Sequence, residues 1–506
     1  MSSTATPTRL EVEPKGGPAI FDVLWSRPLI GVVVALALVS AFADLSASFT
    51  PRGPLTAPQA YITLGVALAV GLLAGLAIPS RWLLLLGPVA FVALFELRRI
   101  GYVGASIDAP SFGSTLEIIA FFVGRVLPGV VTLLPLAVGA ALGVHLAARL
   151  GHPGALALGA FGWTITGAAV VFLAVVAIVI ARPASTAPIP GSDGAPPGSL
   201  AELVEIDVNG SRQALMIRGR SVDNPVLLYL HGGPGGTDLG AMRRDVGLEQ
   251  DFVVVTWDQR GSGRSYPSID PTSELTVEQM VDDAIAVTGY LRGRFGVDKV
   301  YLVGQSWGSA LGVMAAAERP DLYHAFVGVG QMVSFVETDR MFWEDALAWA
   351  ETRGDSRLAD QLRENGPPPY DDIRKYGPVT STEHQWNPYP GFDPDNEMPA
   401  ILFVPEYSVI ERVNAFRGFF DVATVLYPQL VDVDLRVDIP SLEIPYYQVM
   451  GEHEPRGRAL PAGEWFEMVR APYKERLVFE GAGHRANFDR PARFAELMRS
   501  IDTPTD

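Results

Sequence analysis

The chain has 506 residues, a net charge of −17 and no cysteine. This acidity argues against a nucleic-acid partner, because phosphates are bound by lysine and arginine, and the lack of cysteine excludes thiolate metal sites and disulfides. Hydrophobic residues make up 48% of the chain and the mean hydropathy is +0.22, which is high for a soluble protein and low for one lying wholly in a membrane. Most acidic residues follow position 200, so two different kinds of domain are expected.

Residues 1–182 are predicted to form a helical membrane domain of about five spans. A span needs roughly 20 apolar residues to cross about 30 Å of hydrocarbon. The third apolar segment is short and precedes charged residues, so a re-entrant or interfacial segment is the alternative there. A lipid bilayer is therefore an expected partner. The candidate spans are Leu29–Ala43, Ala60–Ile78, Trp82–Phe95, Val126–Leu146 and Ala155–Ile180.

Residues 183–200 are rich in Pro, Ala, Ser and Gly, a composition typical of a linker that builds no core. Basic residues are almost evenly divided between the two sides of the predicted spans, so the positive-inside rule decides little about orientation. A spacer of this kind suits a domain held off a membrane surface. We therefore expect a multi-pass protein of the cell membrane whose C-terminal domain is extracytoplasmic.

Residues 201–332 and 441–506 show short β-rich runs alternating with helical patterns, the first two runs forming a hairpin. This alternation predicts an α/β domain with a mostly parallel sheet and helices on both faces. Ligands bind such sheets at the carboxyl ends of the strands, which is where the glycine-rich motifs lie. The insertion at 333–440 is helical and rich in aromatic residues, and it is predicted to be a cap over that edge.

The sequence VYLVGQSWGS places Ser306 in a G-x-S-x-G motif between an apolar run and a helix of small residues. Alone this motif is weak, but a strand, a tight turn and a helix are the context of a nucleophile elbow. The flanking glycines allow the sharp turn and leave the hydroxyl exposed. Ser306 is the predicted nucleophile.

A serine hydroxyl needs a base to take its proton. The chain has seven histidines, and in the order Ser–acid–His only His453 and His484 follow a plausible acid after the cap. His484 follows the final predicted strand and is the predicted base. The acid orients the imidazole and stabilises its charged form; Glu452 and Glu454 both qualify chemically.

An oxyanion hole needs backbone N–H donors aimed at the developing charge. The loop HGGPGG follows a predicted strand and can approach a substrate closely. The N–H groups of Gly233 and Trp307, the latter directly after the nucleophile, are the expected pair. The alternative is that the glycines form only a flexible turn.

Four motifs in this order, HGGPGG, DQRGSGRS, GQSWGS and GAGH, resemble the prolyl iminopeptidase family over residues 205–500. The resemblance implies an α/β-hydrolase fold with a helical cap and a serine mechanism that releases N-terminal residues, often proline, from peptides. It implies Ser306 as nucleophile, His484 as base and Glu454 as acid, although the family usually has Asp at the last position. No cofactor and no metal are expected.

The resemblance also implies cap acids that hold the free amine of a small peptide substrate. The surrounding family motif is missing, so no single acid can be chosen. An esterase or lipase acting on a lipid-like ester is the alternative within the same class, and a non-catalytic, membrane-bound ligand sensor is the alternative from another class. The cap acids on offer are Glu337, Glu344, Glu406 and Glu411.

Overall fold

The computed structural model describes residues 24–100, 118–119, 121–152, 155, 157–192, 194–269 and 275–502. Residues 1–23 and 101–117 of the predicted membrane domain and residues 503–506 of the predicted hydrolase domain lie outside these ranges. The chain divides into two compact units. One contains residues 1–102 and 126–178, and the other contains residues 103–125 and 179–506.

Long apolar helices form the N-terminal region. Four of the described helices are long and apolar enough to cross a membrane, the fourth helix together with a π-helical turn at Phe122–Val126. The third helix has 17 residues and ends on Arg98 and Arg99. It contains most of the short apolar segment that was predicted to precede charged residues. The helices are α1 Pro28–Phe49, α2 Ala57–Ala77, α3 Leu83–Arg99, α4 Leu127–Arg149 and α5 Ala160–Ala181.

Glycines allow α2 and α4 to pack backbone against backbone. A Cβ atom on Gly71 would lie 2.1 Å from the carbonyl oxygen of Leu136, and one on Gly139 would lie 2.2 Å from that of Leu68. Small residues at a helix–helix contact are the usual means of close approach in apolar surroundings. Larger residues at either glycine would therefore separate the two helices.

The C-terminal unit is built on one eight-stranded sheet with the strand order β1-β2-β4-β3-β5-β6-β7-β8. The first hairpin and the β2–β4 pair are antiparallel, and all remaining pairs are parallel. The strands are β1 Leu200–Val208, β2 Ser211–Gly219, β3 Val226–Leu230, β4 Val253–Asp258, β5 Val300–Gln305, β6 Tyr323–Val329, β7 Tyr446–Gly451 and β8 Lys474–Phe479.

The central strands are buried over their whole length and mainly apolar, because both faces of the sheet are covered. Every residue of β3, β4 and β5 is buried. Continuous apolar runs of this kind are typical of parallel strands between helices. Since the parallel strands share one direction, the loops after β3, β5, β7 and β8 meet at the same edge of the sheet. The sequence-based expectation of an α/β-hydrolase fold is confirmed.

Helices cover the sheet and form the cap. Between β6 and β7 the chain runs through six α-helices and four 3-10 helices, and these make the cap. The core helices are α6 Leu239–Arg244, α7 Val277–Phe295, α8 Trp307–Glu318, α15 Arg456–Met468, α16 Ala486–Asp489 and α17 Pro491–Asp502. The cap helices are α9 Phe335–Arg353, α10 Ser356–Asn365, α11 Gly377–Thr380, α12 Glu383–Trp386, α13 Val409–Leu426 and α14 Leu435–Asp438.

The segment predicted as a spacer is irregular, but it lies against the hydrolase unit. The buried Arg218 side chain donates hydrogen bonds of 2.6 Å to the hydroxyl of Thr186 and to the carbonyl oxygen of Ala187. The same guanidinium pairs with Glu249 at 2.6 Å. Ile189 is buried as well. The composition of the segment gives no hint of these contacts, because its backbone and one hydroxyl make them.

Candidate active site

Ser306 occupies a sharp turn between β5 and α8. Its φ is +54° and its ψ is −122°, a conformation that side-chain-bearing residues rarely adopt and that is common at functional sites. A Cβ atom on Gly304 would lie 2.1 Å from the carbonyl oxygen of Gly308, and one on Gly308 would lie 2.1 Å from that of Leu230. Both flanking positions therefore require glycine. The N–H of Ser306 donates a 2.9 Å hydrogen bond to Val329 at the end of the neighbouring strand β6, which anchors the turn.

His484 lies in the loop after β8, and its Nδ1 is 2.8 Å from Oε1 of Glu454 in the loop after β7. The carboxylate can only accept, so Nδ1 carries the proton and Nε2 is left as an acceptor. Ser306 and His484 line the same cavity. The Glu454 side chain is 2% exposed and that of His484 is 17% exposed, so the imidazole reaches the cavity while its carboxylate partner is shielded from water.

Glu452 and His453, the alternative acid and the alternative base, have different surroundings. Glu452 is half-exposed and accepts a hydrogen bond from the N–H of Gly481 at 2.8 Å. His453 is partly exposed and stacks against Tyr389. Among the described residues, neither Glu452 nor His453 lines the cavity. The structure thus pairs His484 with Glu454 and places Ser306 and His484 on the wall of one cavity.

A glycine directly after β6 makes room for the imidazole of His484. Gly330 directly follows that strand with φ +54°, and a Cβ atom there would lie 2.6 Å from Nδ1 of His484. Its N–H donates to the carbonyl oxygen of Val449 at 3.0 Å, which holds the backbone in this place. A side chain at position 330 would therefore displace the His484 ring. The sequence analysis did not single out this position.

The HGGPGG loop lies beside the nucleophile. A Cβ atom on Gly232 would be 3.2 Å from Cβ of Ser306. Gly233, with φ +136°, lines the cavity, and Trp307 begins α8 directly after Ser306. Of the two residues expected to donate N–H groups to an oxyanion, Trp307 directly follows the nucleophile, and Gly233 directly follows the glycine that adjoins it.

His231, the first residue of this loop, fastens it from inside the protein. Its Nε2 accepts a 3.2 Å hydrogen bond from the N–H of Gln259, and its Nδ1 donates to the carbonyl oxygen of Gly232 at 2.7 Å. The side chain is fully buried, and burial lowers the pKa of His231. A neutral imidazole with this tautomer satisfies both contacts, so His231 supports the loop and does not face the cavity.

The DQRGSGRS motif links the same loop to the cap. Oδ1 of Asp258 accepts a 2.7 Å hydrogen bond from the Thr237 hydroxyl, and both carboxylate oxygens lie 3.0 Å from the hydroxyl of Tyr407 in the cap. Burial raises the pKa of Asp258. A Cβ atom on Gly263 would lie 2.2 Å from Oδ2 of Asp258, so the carboxylate fits only beside a glycine. The motif thus has a structural role near the site.

The cap acids chosen from the sequence are all in ion pairs, and none is among the described residues that line the cavity. Each of these carboxylates contacts an arginine that lies outside the cavity lining. The pairs are Glu337 with Arg436, Glu344 with Arg456, Glu406 with Arg243 and Glu411 with Arg264. Glu411 also completes a capping box with Ser408 at the start of α13.

The cavity has a volume of about 660 Å³ and lies between the strand ends and the cap. Much of its wall is aromatic. Its acids were not foreseen, because their placement depends on the fold of the whole domain: Asp238 precedes α6 in the core, Asp339 lies in α9, Glu383 begins α12 and Glu397 lies elsewhere in the cap. The aromatic residues are Phe335, Phe342, Tyr376, Tyr389, Phe392, Phe419, Phe420 and Tyr427; the acids are Asp238, Asp339, Glu383 and Glu397.

These four acids differ in how fully their charge is compensated. Asp238 has a guanidinium at 2.8 Å, from Arg485, and Glu383 has one at 2.7 Å, from Arg458. Glu397 has only the more distant Arg485, at 3.6 Å. Burial raises the pKa of Glu397, and this arginine offsets the effect only in part. The Glu397 side chain is 29% exposed, and a partly buried carboxylate with incomplete compensation is stabilised by an additional cation.

Asp339 is the fourth acid. Both of its oxygens accept from the hydroxyl of Tyr427, at 2.9 and 3.0 Å. Burial raises the pKa of Asp339 to about 7, against the opposing effects of the Tyr427 hydrogen bond and the charge of Arg458. Near neutral pH this carboxyl group is therefore divided between its protonated and ionised forms.

Comparison with known proteins places the chain in a family. A profile of the alpha/beta hydrolase fold matches residues 225–372. The probable aminopeptidase YbaC of Bacillus subtilis (strain 168) is 31% identical over 307 residues, which are 59% of this chain and 96% of that protein. A proline iminopeptidase of Xanthomonas citri is 36% identical over 140 residues, 28% of this chain and 40% of that protein. The chain belongs to the prolyl iminopeptidase-like α/β-hydrolases.

This prolyl iminopeptidase-like hydrolase is also similar to solved structures. The crystal structure of a proline iminopeptidase from Mycobacterium smegmatis superposes with a TM-score of 0.42 at 17% identity, covering 60% of this chain and 98% of that one. Among the described residues of the hydrolase, no group of three or more His, Asp or Glu side chains lies close enough to hold a metal ion.

Proposed function

We propose that this hydrolase is a membrane-anchored serine aminopeptidase that releases the N-terminal residue of small peptides through an acyl-enzyme. The observation that carries this proposal is the 2.8 Å contact between His484 and Glu454, with His484 and Ser306 facing one cavity. The names of the relatives from Bacillus subtilis and Xanthomonas citri support the peptide substrate.

The proposed reaction has two steps, acylation of Ser306 and hydrolysis of the acyl-enzyme. The Oγ atom of Ser306 attacks the carbonyl carbon while Nε2 of His484 takes the hydroxyl proton, and Glu454 stabilises the resulting imidazolium. The N–H groups of Gly233 and Trp307 stabilise the oxyanion. His484 then returns the proton to the leaving amine. Water, activated by the same histidine, hydrolyses the ester on Ser306 and releases the N-terminal residue.

A broad labelling experiment tests whether the protein is an enzyme of this class. Fluorophosphonates react with activated serines, so the intact protein in detergent should be labelled at Ser306, as found by mass spectrometry of the adduct. A known serine hydrolase in the same tube is the positive control. If that control is labelled and this protein is not, the non-catalytic ligand sensor becomes the better description.

Glu397 is the acid proposed to receive the ammonium group of the substrate. It lines the cavity, it lacks a close guanidinium, and the charge of His484 acts on it, so it lies within electrostatic reach of the reacting atoms. A substrate ammonium would add a second cation beside this partly buried carboxylate, whose paired guanidinium is 3.6 Å away. The other cavity acids have closer partners or, like Asp339, a pKa near neutrality.

We expect Glu397→Gln to separate amine recognition from catalysis. Loss of a charged hydrogen bond should lower kcat/KM for an aminoacyl amide about 10- to 100-fold. Hydrolysis of a short acyl ester without an amine should change less than about twofold. Glu344→Gln, an exposed cap position outside the cavity, is the matched control. Equal losses on both substrates would contradict the assignment.

A second candidate function is an esterase or lipase acting on an apolar acyl group. The aromatic cavity wall, including Phe335, Phe419 and Phe420, favours this activity. The two candidates differ in one measurement on wild-type protein, the ratio of kcat/KM for proline and other aminoacyl amides to that for short- and long-chain acyl esters. A ratio dominated by long-chain esters would replace the aminopeptidase proposal.

The proposed location is the cell membrane, with several spans and an extracytoplasmic hydrolase domain. It is supported by the four helices whose length and composition allow them to cross a bilayer. External protease applied to sealed cells should digest the hydrolase domain while leaving a cytoplasmic marker protein intact. If the domain is fully protected in sealed cells and is cleaved only after the cells are permeabilised, it lies in the cytoplasm.

A further inference from the structure

Arg458 lies between two carboxylates, one from the cap and one beside the candidate catalytic histidine. Its guanidinium makes a two-pronged contact with Glu383, at 2.7 and 3.0 Å. The Nη1 atom is also 3.5 Å from Oε1 of Glu454, the oxygen that contacts His484. The cap helix α12 and the core helix α15 are thus connected through one side chain to the acid that orients the imidazole.

The geometry shows which carboxylate holds Arg458 more strongly. A fork-to-fork contact with both oxygens at hydrogen-bond distance is stronger than a single contact at 3.5 Å. The guanidinium carbon of Arg458 also lies 4.4 Å from the centroid of the Phe342 ring, a cation–π contact. Oε2 of Glu454 is buried and has no hydrogen-bond partner among the described residues. The cap carboxylate therefore draws the cation away from Glu454.

This arrangement matters for charge balance around His484. With a neutral imidazole, the two carboxylates and the one guanidinium carry one net negative charge, and with an imidazolium the cluster is neutral. Without Glu383, Arg458 and Glu454 would neutralise each other, and protonation of His484 would leave one net positive charge. Because all three side chains are largely buried, solvent screens these charges only weakly.

Other charged and titratable groups also lie near His484, and substitution of Glu383 or Arg458 leaves them in place. Tyr389 and Asp489 lie near the His484 loop through contacts with Gly483, and the charge of His484 acts on Glu383 and Glu397. His384 of the cap and Asp238 and Arg485 of the core act in turn on Glu397, and the charge of Arg458 acts on Asp339 in α9.

We propose that Glu383 and Arg458 are positioning residues through which the cap makes the Glu454 carboxylate available to His484. The proposal rests on the proposed serine-hydrolase function and assigns the cap an electrostatic role in addition to substrate binding. When the cap is in place, Glu383 holds Arg458 and the imidazolium formed during acylation is stabilised. A cap displaced from α15 would free Arg458 to pair with Glu454 and weaken the base.

The test is the pH dependence of kcat/KM, whose acid limb reports protonation of the base in the free enzyme. In Glu383→Gln a negative charge near His484 is lost, so the acid limb should move to lower pH by about one unit. The plateau rate should fall roughly threefold to tenfold, since a weaker base accepts the serine proton less readily. Arg458→Met removes a positive charge, and its acid limb should move to higher pH.

The two opposite shifts distinguish this role from a structural one, which would lower stability or rate without moving the limb. Asp345→Asn, which removes another cap-to-α15 ion pair, with Arg456, is the matched control and should leave the profile unchanged. If Arg458→Met does not fold, the shift in Glu383→Gln decides alone. An unmoved limb in a folded, active Glu383→Gln protein would overturn the proposal.

Failure of this proposal is distinct from failure of the proposed function. If wild-type protein is labelled by a fluorophosphonate and hydrolyses its substrate, the serine mechanism stands whatever the profile of Glu383→Gln. If wild-type protein has neither property, the serine mechanism is refuted and the positioning role of Glu383 and Arg458 is refuted with it.

Discussion

Ser306→Ala should lower kcat/KM about 10⁵- to 10⁶-fold on any substrate the wild-type protein hydrolyses. Alanine keeps the Cβ atom and hence the backbone at φ +54°, but it has no oxygen to form the acyl-enzyme. The residual rate would come from oxyanion stabilisation and binding alone. The measurement is steady-state kinetics together with fluorophosphonate labelling, which should disappear.

Two controls make this result decisive. Thermal unfolding of Ser306→Ala should match that of the wild type, since the side chain of Ser306 is replaced without creating a large cavity. Ser309→Ala removes a neighbouring hydroxyl that donates to the carbonyl oxygen of Ser306 at 2.6 Å, and this variant should still be labelled. Labelling that persists in Ser306→Ala would assign the nucleophile to another residue.

Glu454→Gln is expected to have the second-largest effect, a loss of about 10³- to 10⁴-fold in kcat. Glutamine has nearly the same shape, but its amide cannot stabilise the imidazolium, and its NH₂ group can turn His484 into the wrong tautomer. The 2.8 Å contact and the near-complete burial of Glu454 make this pair sensitive to such a change. Kinetics on the preferred substrate and a folding check by circular dichroism measure it.

Glu452→Gln is the matched control, two residues away in the same loop. Its carboxylate is half-exposed and contacts the N–H of Gly481, so the change should cost less than about twofold in kcat. A larger loss in Glu452→Gln than in Glu454→Gln would reverse the assignment of the acid.

The fold and the strand–turn–helix that carries Ser306 could be predicted because their signals are local. The apolar runs of β3 and β5, the glycines around Ser306 and the helix Val277–Phe295 are each encoded within about 20 consecutive residues. His484 followed from elimination among seven histidines. The choice between Glu452 and Glu454 was not accessible from residue type, because it depends on which side chain of one short loop points toward the imidazole.

The cap acids could not be predicted because their placement depends on contacts distant in sequence. Glu337 and Glu406 pair with arginines 99 and 163 residues away, whereas Glu383 and Glu397 reach the cavity from short turns. A signal for Arg458 was present, since it lies four residues after Glu454, a spacing that brings side chains together around a helix start. Gly330 carried no pattern that would distinguish it from an ordinary turn glycine.

The contacts of Arg218 have a practical consequence for preparing the hydrolase unit in soluble form. A version starting at Leu200, where β1 begins, would remove the two oxygen acceptors at Thr186 and Ala187 and leave part of a buried guanidinium unsatisfied. Unmet hydrogen bonds of a buried charge cost about 1–3 kcal/mol. A version starting at Arg182 keeps these acceptors and should melt several degrees higher. The proline-rich stretch is thus a structural part of the hydrolase unit, because it supplies hydrogen-bond acceptors to a buried arginine.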